Sequence, residues 1–144
     1  MNAEPPKPTV ALSDRQDLPV EPAPLRELAV RTLLGEGVDR GELSVSLVGR
    51  DEIARLHERY MDEPGPTDVL SFPQDDDGPP GEPRLLGDVV ICPEVAAAQS
   101  GDLDAELRLL LVHGILHLLG YDHEDDDGRA AMWARQERYS GVRA

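Results

Sequence analysis

His113-Gly-Ile-Leu-His117-Leu-Leu-Gly120-Tyr-Asp-His123 is the stretch around which the chain is organised, and it contains three of the four histidines. His113 and His117 are four residues apart, so on a helix they share one face, with Cβ atoms about 5–6 Å apart. Gly120 favours the left-handed turn that ends a helix, and such a turn lets His123 swing back toward the pair. Three imidazoles with one open position are typical of a catalytic zinc, because structural zinc sites normally have four protein ligands. The spacing therefore predicts a catalytic metal site formed by His113, His117 and His123.

Other interpretations of these residues stay open. Two histidines four apart on an apolar helix are often core residues, and it is the third histidine that favours a metal. The spacing is also that of the metzincin proteases, whose general base is a glutamate directly after the first histidine. Here that position is Gly114, which offers no proton acceptor. Asp122, beside the third histidine, is interpreted either as a base or as a group that orients an imidazole, and we favour the orienting role.

The composition is that of an acidic, single-domain chain. In 144 residues there are 29 Asp and Glu against 14 Lys and Arg, which gives a net charge of −15. This charge argues against general affinity for polyanions or anionic membranes. The lone Cys92, the lack of a signal-peptide pattern and the lack of a bilayer-length apolar run predict a cytoplasmic protein without membrane contact.

Hydrophobic periodicity predicts an α+β single domain, in which a mixed β-sheet of about four strands packs with helices around a central, buried metal-binding helix. Residues 1–24 contain six of the 13 prolines and are predicted to be a partly ordered segment, with the domain itself over 25–144. In the last helix, Met132 and Trp133 are predicted core residues. Strands are predicted at 9–12, 43–47, 67–72 and 85–91. Helices are predicted at 25–33 and at 126–139. Three further helices are predicted to begin after a cap at Asp51, at Pro93 and after a cap at Asp102.

Three blocks of the sequence resemble one family. Residues 113–123 resemble the H-G-x-L-H-L-x-G-Y-D-H signature of the YbeY endoribonucleases, which are bacterial rRNA maturation factors. Pro66–Pro73 resembles that family's P-T-D-V-L-S-F-P block, and Leu86–Ile91 its L-G-D-[IV]-x-I strand. The blocks occur in the family's order, so the resemblance covers residue 40 onward and, more weakly, the region before it.

The resemblance implies a single-strand-specific, zinc-dependent endoribonuclease that acts in 16S rRNA 3′-end maturation and in late-stage 70S ribosome quality control. It implies one Zn²⁺ per chain, held by His113, His117 and His123, and no organic cofactor. The implied partners are an rRNA precursor, the small ribosomal subunit and assembly proteins. Because the chain is acidic, we expect weak affinity for RNA alone, with a local surplus of cations at Arg129, Arg135, Arg138 and Arg143.

One residue departs from the family pattern. The family often has an arginine after the tyrosine that precedes the second block, and here that position is Met61. An arginine could clamp a phosphate, and methionine cannot, so Arg59 or Arg84 would have to replace it. This departure favours an alternative function, a non-catalytic ribosome assembly factor with a structural metal. Asp68, Ser71 and Asp88, in the family blocks, are interpreted either as groups that line a cleft or support the metal-binding helix, or as strand-end hydrogen-bonding groups.

Overall fold

The computed structural model of the chain describes residues 6–74, 85–121 and 125–142. The strands in this part are β1 (Thr9–Arg15), β2 (Glu42–Val48), β3 (Val69–Pro73) and β4 (Leu85–Ile91). The helices are α1 (Pro22–Gly35), α2 (Arg50–Met61), α3 (Pro93–Gln99), α4 (Leu103–Leu118) and α5 (Asp126–Ser140). None of these helices is long and apolar enough to cross a lipid bilayer.

The strands form one mixed sheet in the order β1-β2-β4-β3. β1, β2 and β4 run parallel, whereas β3 pairs antiparallel with β4, with Val69 opposite Ile91. β4 is buried along most of its length because helices cover the centre of the sheet on both faces, and a central strand in that position is apolar throughout. The predicted α+β fold with a mixed four-stranded sheet is confirmed.

The larger core lies between one face of the sheet and the helices α1 and α4. On this face Val45, Leu47 and Val89 pack with the apolar residues of α4. On the other face Ile53 of α2 packs in a smaller cluster that includes Leu70. α4 and α2 therefore lie on opposite faces of the sheet, and both reach its β3 edge.

The central helix α4 begins and ends as its sequence dictates. Asp102 caps it, because its carboxylate accepts a hydrogen bond from the Ala105 amide at 3.1 Å. The helix is buried on most sides, as its nearly continuous apolar sequence predicts. Gly120 ends it with a φ of +98°, a left-handed conformation that glycine adopts at low cost.

Two local predictions are wrong. Asp51 does not cap α2, because Gly49 is the capping residue and Asp51 lies in the first turn, where the helix dipole still favours an acid. Trp133 is not a core residue, because its side chain is 52% exposed while that of Met132 is fully buried. Neighbouring helical residues point about 100° apart, so α5, which packs on the core by one face, buries Met132 and leaves Trp133 outside.

Candidate metal centre

A cavity of about 340 Å³ lies at the β3 edge of the sheet, between the end of α2 and the second half of α4. Both His113 and His117 reach it from one face of α4, as the four-residue spacing predicts. Their ring centroids are 4.5 Å apart and the ring planes are inclined by 75°. The described lining consists of Met61, Val69, Leu70, Ser71, Pro73, His113 and His117. Two nitrogen donors therefore face the same partly enclosed space.

His113 has a contact that the sequence analysis missed. Its Nδ1 lies within hydrogen-bond distance of Oε1 of Gln136, a side chain of α5 that is only 6% exposed. An imidazole that donates through Nδ1 carries its lone pair on Nε2, which is the form in which a histidine binds a metal. The sequence did contain a signal, because Gln136 lies four residues after the apolar Met132 and thus shares the buried face of α5.

Gly114 lies at a close contact between α4 and the sheet. Its carbonyl oxygen accepts a hydrogen bond from Ser71 Oγ at 3.0 Å. A Cβ atom at this position would lie 2.7 Å from Cγ1 of Val89 and 3.1 Å from Ser71 Oγ. A side chain at position 114 would therefore meet the sheet, so the glutamate of a metzincin has no room in this arrangement.

The third predicted ligand, His123, and the adjacent Asp122 lie outside the described residues. Among residues 6–74, 85–121 and 125–142, no three His, Cys, Asp or Glu side chains are grouped so that they could hold a metal. His113 and His117 nevertheless fit a metal, because they are adjacent nitrogen donors and one is oriented through its other nitrogen.

The largely buried carboxylate of Glu36 binds Tyr121, the last described residue before Asp122 and His123. Glu36, at the end of α1, accepts hydrogen bonds from the hydroxyls of Tyr121 and Tyr139 at 2.5 Å each, and Arg135 Nε lies 3.3 Å away. Burial opposes the charge of Glu36, but these donors outweigh it and hold the pKa of the carboxyl below its ordinary value. Hydrogen bonding to this carboxylate raises the pKa of Tyr121, and burial together with the same carboxylate raises that of Tyr139.

The structure describes some of the cations predicted for RNA contact and the position of Met61. Met61 lines the cavity and is 44% exposed, so the position that the family often fills with arginine does face the site. Of its predicted substitutes, Arg59 lies over the ring of Tyr60 and Arg84 is outside the described residues. In the predicted C-terminal patch, Arg135 is paired with Glu36, which reduces the surplus of positive charge there.

Ser71, Asp88 and Asp68, the polar residues of the family blocks, lie in three different environments. Ser71 lines the cavity and also donates to the α4 backbone, which agrees with its first interpretation, a group that lines a cleft or supports the metal-site helix. Asp88 lies on β4 beside a different, small cleft with Ser44 and Gln74, and burial raises the pKa of its carboxyl. The main-chain oxygen of Asp68 accepts from the Cys92 amide at 2.9 Å, a bond that any residue could form, so the role of the Asp68 carboxylate stays a prediction.

The fold and site define an α+β protein whose buried helix presents paired histidines to a cavity at the edge of a mixed sheet. Comparison with known proteins then gives the family. The endoribonuclease YbeY family matches residues 18–141, and the chain belongs to this family.

Curated relatives named endoribonuclease YbeY agree with this assignment. The proteins of Acidothermus cellulolyticus, Streptomyces coelicolor and Kineococcus radiotolerans are 54%, 50% and 55% identical over 108, 107 and 106 residues. The matches cover 66%, 66% and 67% of this chain. They cover 66%, 65% and 61% of the relatives, slightly less than two thirds of their length.

A solved structure shares the fold. The solution structure of a protein from Thermotoga maritima has a TM-score of 0.58 and 28% sequence identity. The comparison covers 92% of this chain and 87% of the Thermotoga chain, so the sheet and its helices correspond over nearly the whole domain.

Proposed function

We propose that this protein is a metal-dependent endoribonuclease that cleaves single-stranded RNA. The observation that carries the proposal is the pair of histidines that α4 presents to the cavity at the β3 edge. Membership of a family whose curated members are named endoribonucleases supports the RNA substrate.

We propose one zinc ion per chain, held by His113, His117 and His123. Neutral imidazoles suit zinc, and three of them leave a position for the substrate. When bound, such an ion supplies Lewis-acid polarisation of a phosphoryl oxygen and an acidified water. We assign Asp122 the role of orienting an imidazole rather than that of general base.

The described residues of the site have distinct tasks in this reaction. Ser71 binds the α4 backbone at Gly114. This hydrogen bond fixes α4, and with it both imidazoles, relative to β3. Gln136 holds the ring of His113. Met61, Val69 and Pro73 supply apolar surface to the cavity beside the two imidazoles.

The biological setting that we propose is the cytoplasmic maturation of the 16S rRNA 3′ end and the quality control of late 70S ribosomes. The charge of the chain supports a protein partner in this setting. With a net charge of −15 and no lysine or arginine in the described cavity lining, phosphate contacts contribute little affinity. A small-subunit or assembly protein would then supply the missing affinity and the choice of cut site.

Cleavage of a labelled single-stranded RNA oligonucleotide tests the nuclease. We expect zinc-loaded wild-type protein to cut it, and His117→Ala to be slower by more than about a hundredfold, because loss of one ligand removes several kcal/mol of charge stabilisation. A matched control is His57→Ala, since His57 on α2 contacts the Gly65 carbonyl and Glu63 rather than the cavity. A chelator should stop wild type and His57→Ala alike. Equal products from wild type and His117→Ala would remove the nuclease hypothesis.

A second candidate function is a non-catalytic assembly factor in which the metal only stabilises the fold. Met61 favours it, because no guanidinium is supplied at this position of the cavity. The same assay separates the two functions. A wild-type protein that binds one zinc, binds the small ribosomal subunit and leaves RNA intact would support the assembly factor. The lack of space for a side chain at position 114 argues against a third candidate, a metzincin-like peptidase.

A further inference from the structure

We propose, on the basis of the proposed metal site, that Gln136 is a positioning residue that sets the tautomer of His113. Its side-chain oxygen accepts the Nδ1 proton of His113, and the lone pair for the metal is thereby placed on Nε2. Gln136 lies on α5, 23 positions along the chain from the histidine whose tautomer it sets.

The chemistry of the two groups allows one productive arrangement. A neutral imidazole has one donor nitrogen and one acceptor nitrogen, and a metal ligand must present the acceptor to the ion. If the Gln136 amide instead turned its NH₂ toward Nδ1, the proton of His113 would lie on Nε2 and block the ion. The carbonyl oxygen of Gln136 faces Nδ1, which is the arrangement that permits binding.

The surroundings of Gln136 fix its position. Gln136 is 6% exposed, and its neighbours on the buried face of α5, Met132 and Ser140, are 0% and 5% exposed. Ser140 donates its hydroxyl proton to the main-chain oxygen of Gln136. A buried amide must find a hydrogen-bond partner, and here the partner is the imidazole of a predicted metal ligand. α5 therefore does more than cover the core, because it presents an oriented acceptor to the site.

Substitutions at position 136 separate positioning from packing. Gln136→Met keeps the length of the side chain and removes the acceptor, whereas Gln136→Glu keeps an acceptor oxygen. We expect Gln136→Met to lower zinc affinity by about 10- to 100-fold, the usual cost of losing such an outer partner. Gln136→Glu should retain affinity at least equal to that of wild type. Gln99→Met, at an exposed position of α3, is the matched control and should change nothing.

Zinc affinity is measured by competition with a chelating dye. A second readout is the ¹⁵N NMR spectrum of the histidine rings of zinc-free protein near pH 8, where imidazoles are neutral. In wild type and Gln136→Glu, His113 should carry its proton on Nδ1. In Gln136→Met the spectrum should shift toward the Nε2-protonated form. Urea unfolding of each variant shows separately whether the fold is retained.

Two results would overturn the inference. One is a wild-type spectrum in which the proton of His113 lies on Nε2, which requires no variant at all. The other is a folded Gln136→Met protein with wild-type zinc affinity. Neither readout uses RNA, so a protein that binds zinc through an oriented His113 but cuts no RNA would contradict the proposed nuclease and leave this inference intact.

Discussion

At the scale of single residues, Gly114 lets α4, the helix of the proposed metal site, lie close to the sheet. Glycine inside a helix costs about 1 kcal/mol relative to alanine, so an ordinary helical position would gain stability from Gly→Ala. At position 114 the new Cβ would lie 2.7 Å from Val89 Cγ1, which is closer than real Cβ contacts. We expect Gly114→Ala to lower the free energy of unfolding by about 1–3 kcal/mol, the usual cost of overpacking.

The partner atom of this contact provides the control for the Gly114 prediction. Val89→Ala removes both Val89 methyl groups near the new Cβ, at 2.7 and 3.2 Å. In the Val89→Ala background, where the contact to Ser71 Oγ at 3.1 Å remains, Gly114→Ala should therefore destabilise the protein clearly less in urea unfolding than it does in wild type. The two substitutions would then show a coupling of more than about 1 kcal/mol. Strict additivity of the two effects would contradict the close contact.

The same residue shows what could be predicted from sequence and what could not. Position 114 carries no proton acceptor, and this is visible in the sequence. That a side chain there would meet Val89 and Ser71 depends on how α4 lies on the sheet, and no local pattern contains that distance. The His113–His117 pair was predictable because helical geometry fixes a four-residue spacing. The contact with Gln136 was not, because it depends on how two separate helices, α4 and α5, pack on each other.

At the scale of elements, Glu36 joins the end of α1 to α5 and to the turn that follows α4. Its carboxylate accepts from two tyrosine hydroxyls, and a glutamine in its place offers one acceptor oxygen in place of two. Since the side chain of Glu36 is only 9% exposed, we expect Glu36→Gln to lower the free energy of unfolding at neutral pH by about 2 kcal/mol. Glu58→Gln, at an exposed position of α2, is the matched control and should have little effect.

The pH dependence of stability should identify this carboxylate. The pKa of Glu36 is lowered in the folded protein, so its contribution is fully present above the unfolded value of 4.5 and is lost as the pH falls through the folded pKa. The difference in urea stability between wild type and Glu36→Gln should therefore be largest at neutral pH and shrink in acid. A difference that stays constant from neutral pH down to about pH 3 would mean that the charge of Glu36 is not the source of the effect.

Element boundaries followed the sequence where a single signal decided them, and departed from it where two signals competed. α3 begins at Pro93 and α4 is capped by Asp102, as predicted, because proline and aspartate have strong positional preferences. The start of α2 was misplaced because Asp51 suits both a cap and a first-turn position. In α5, adjacent Met132 and Trp133 could not both reach the core, and only the packing shows which one does.

At the scale of the whole molecule, the net charge determines how strongly the proposed RNA substrate is attracted to the site. The chain carries a net charge of −15, and the described lining of the cavity contains no lysine or arginine. For single strands the logarithm of the binding constant falls with the logarithm of salt concentration, with a slope of about −0.7 per phosphate contacted. A protein with so few cations at its site should therefore bind bare RNA weakly and with a shallow salt dependence.

Met61→Arg tests this electrostatic account directly. Met61 already lines the cavity beside His113 and His117, so a guanidinium at position 61 would reach a phosphate near the cut. One added charge-assisted contact should steepen the salt slope by about 0.7 and raise the rate of oligonucleotide cleavage about tenfold. Met61→Gln, of similar length and uncharged, should change neither quantity. Binding is measured by fluorescence anisotropy in the presence of chelator, and cleavage with zinc. If Met61→Arg left the salt slope at the wild-type value, position 61 would not contact phosphate, and the weak affinity of the chain would need another cause.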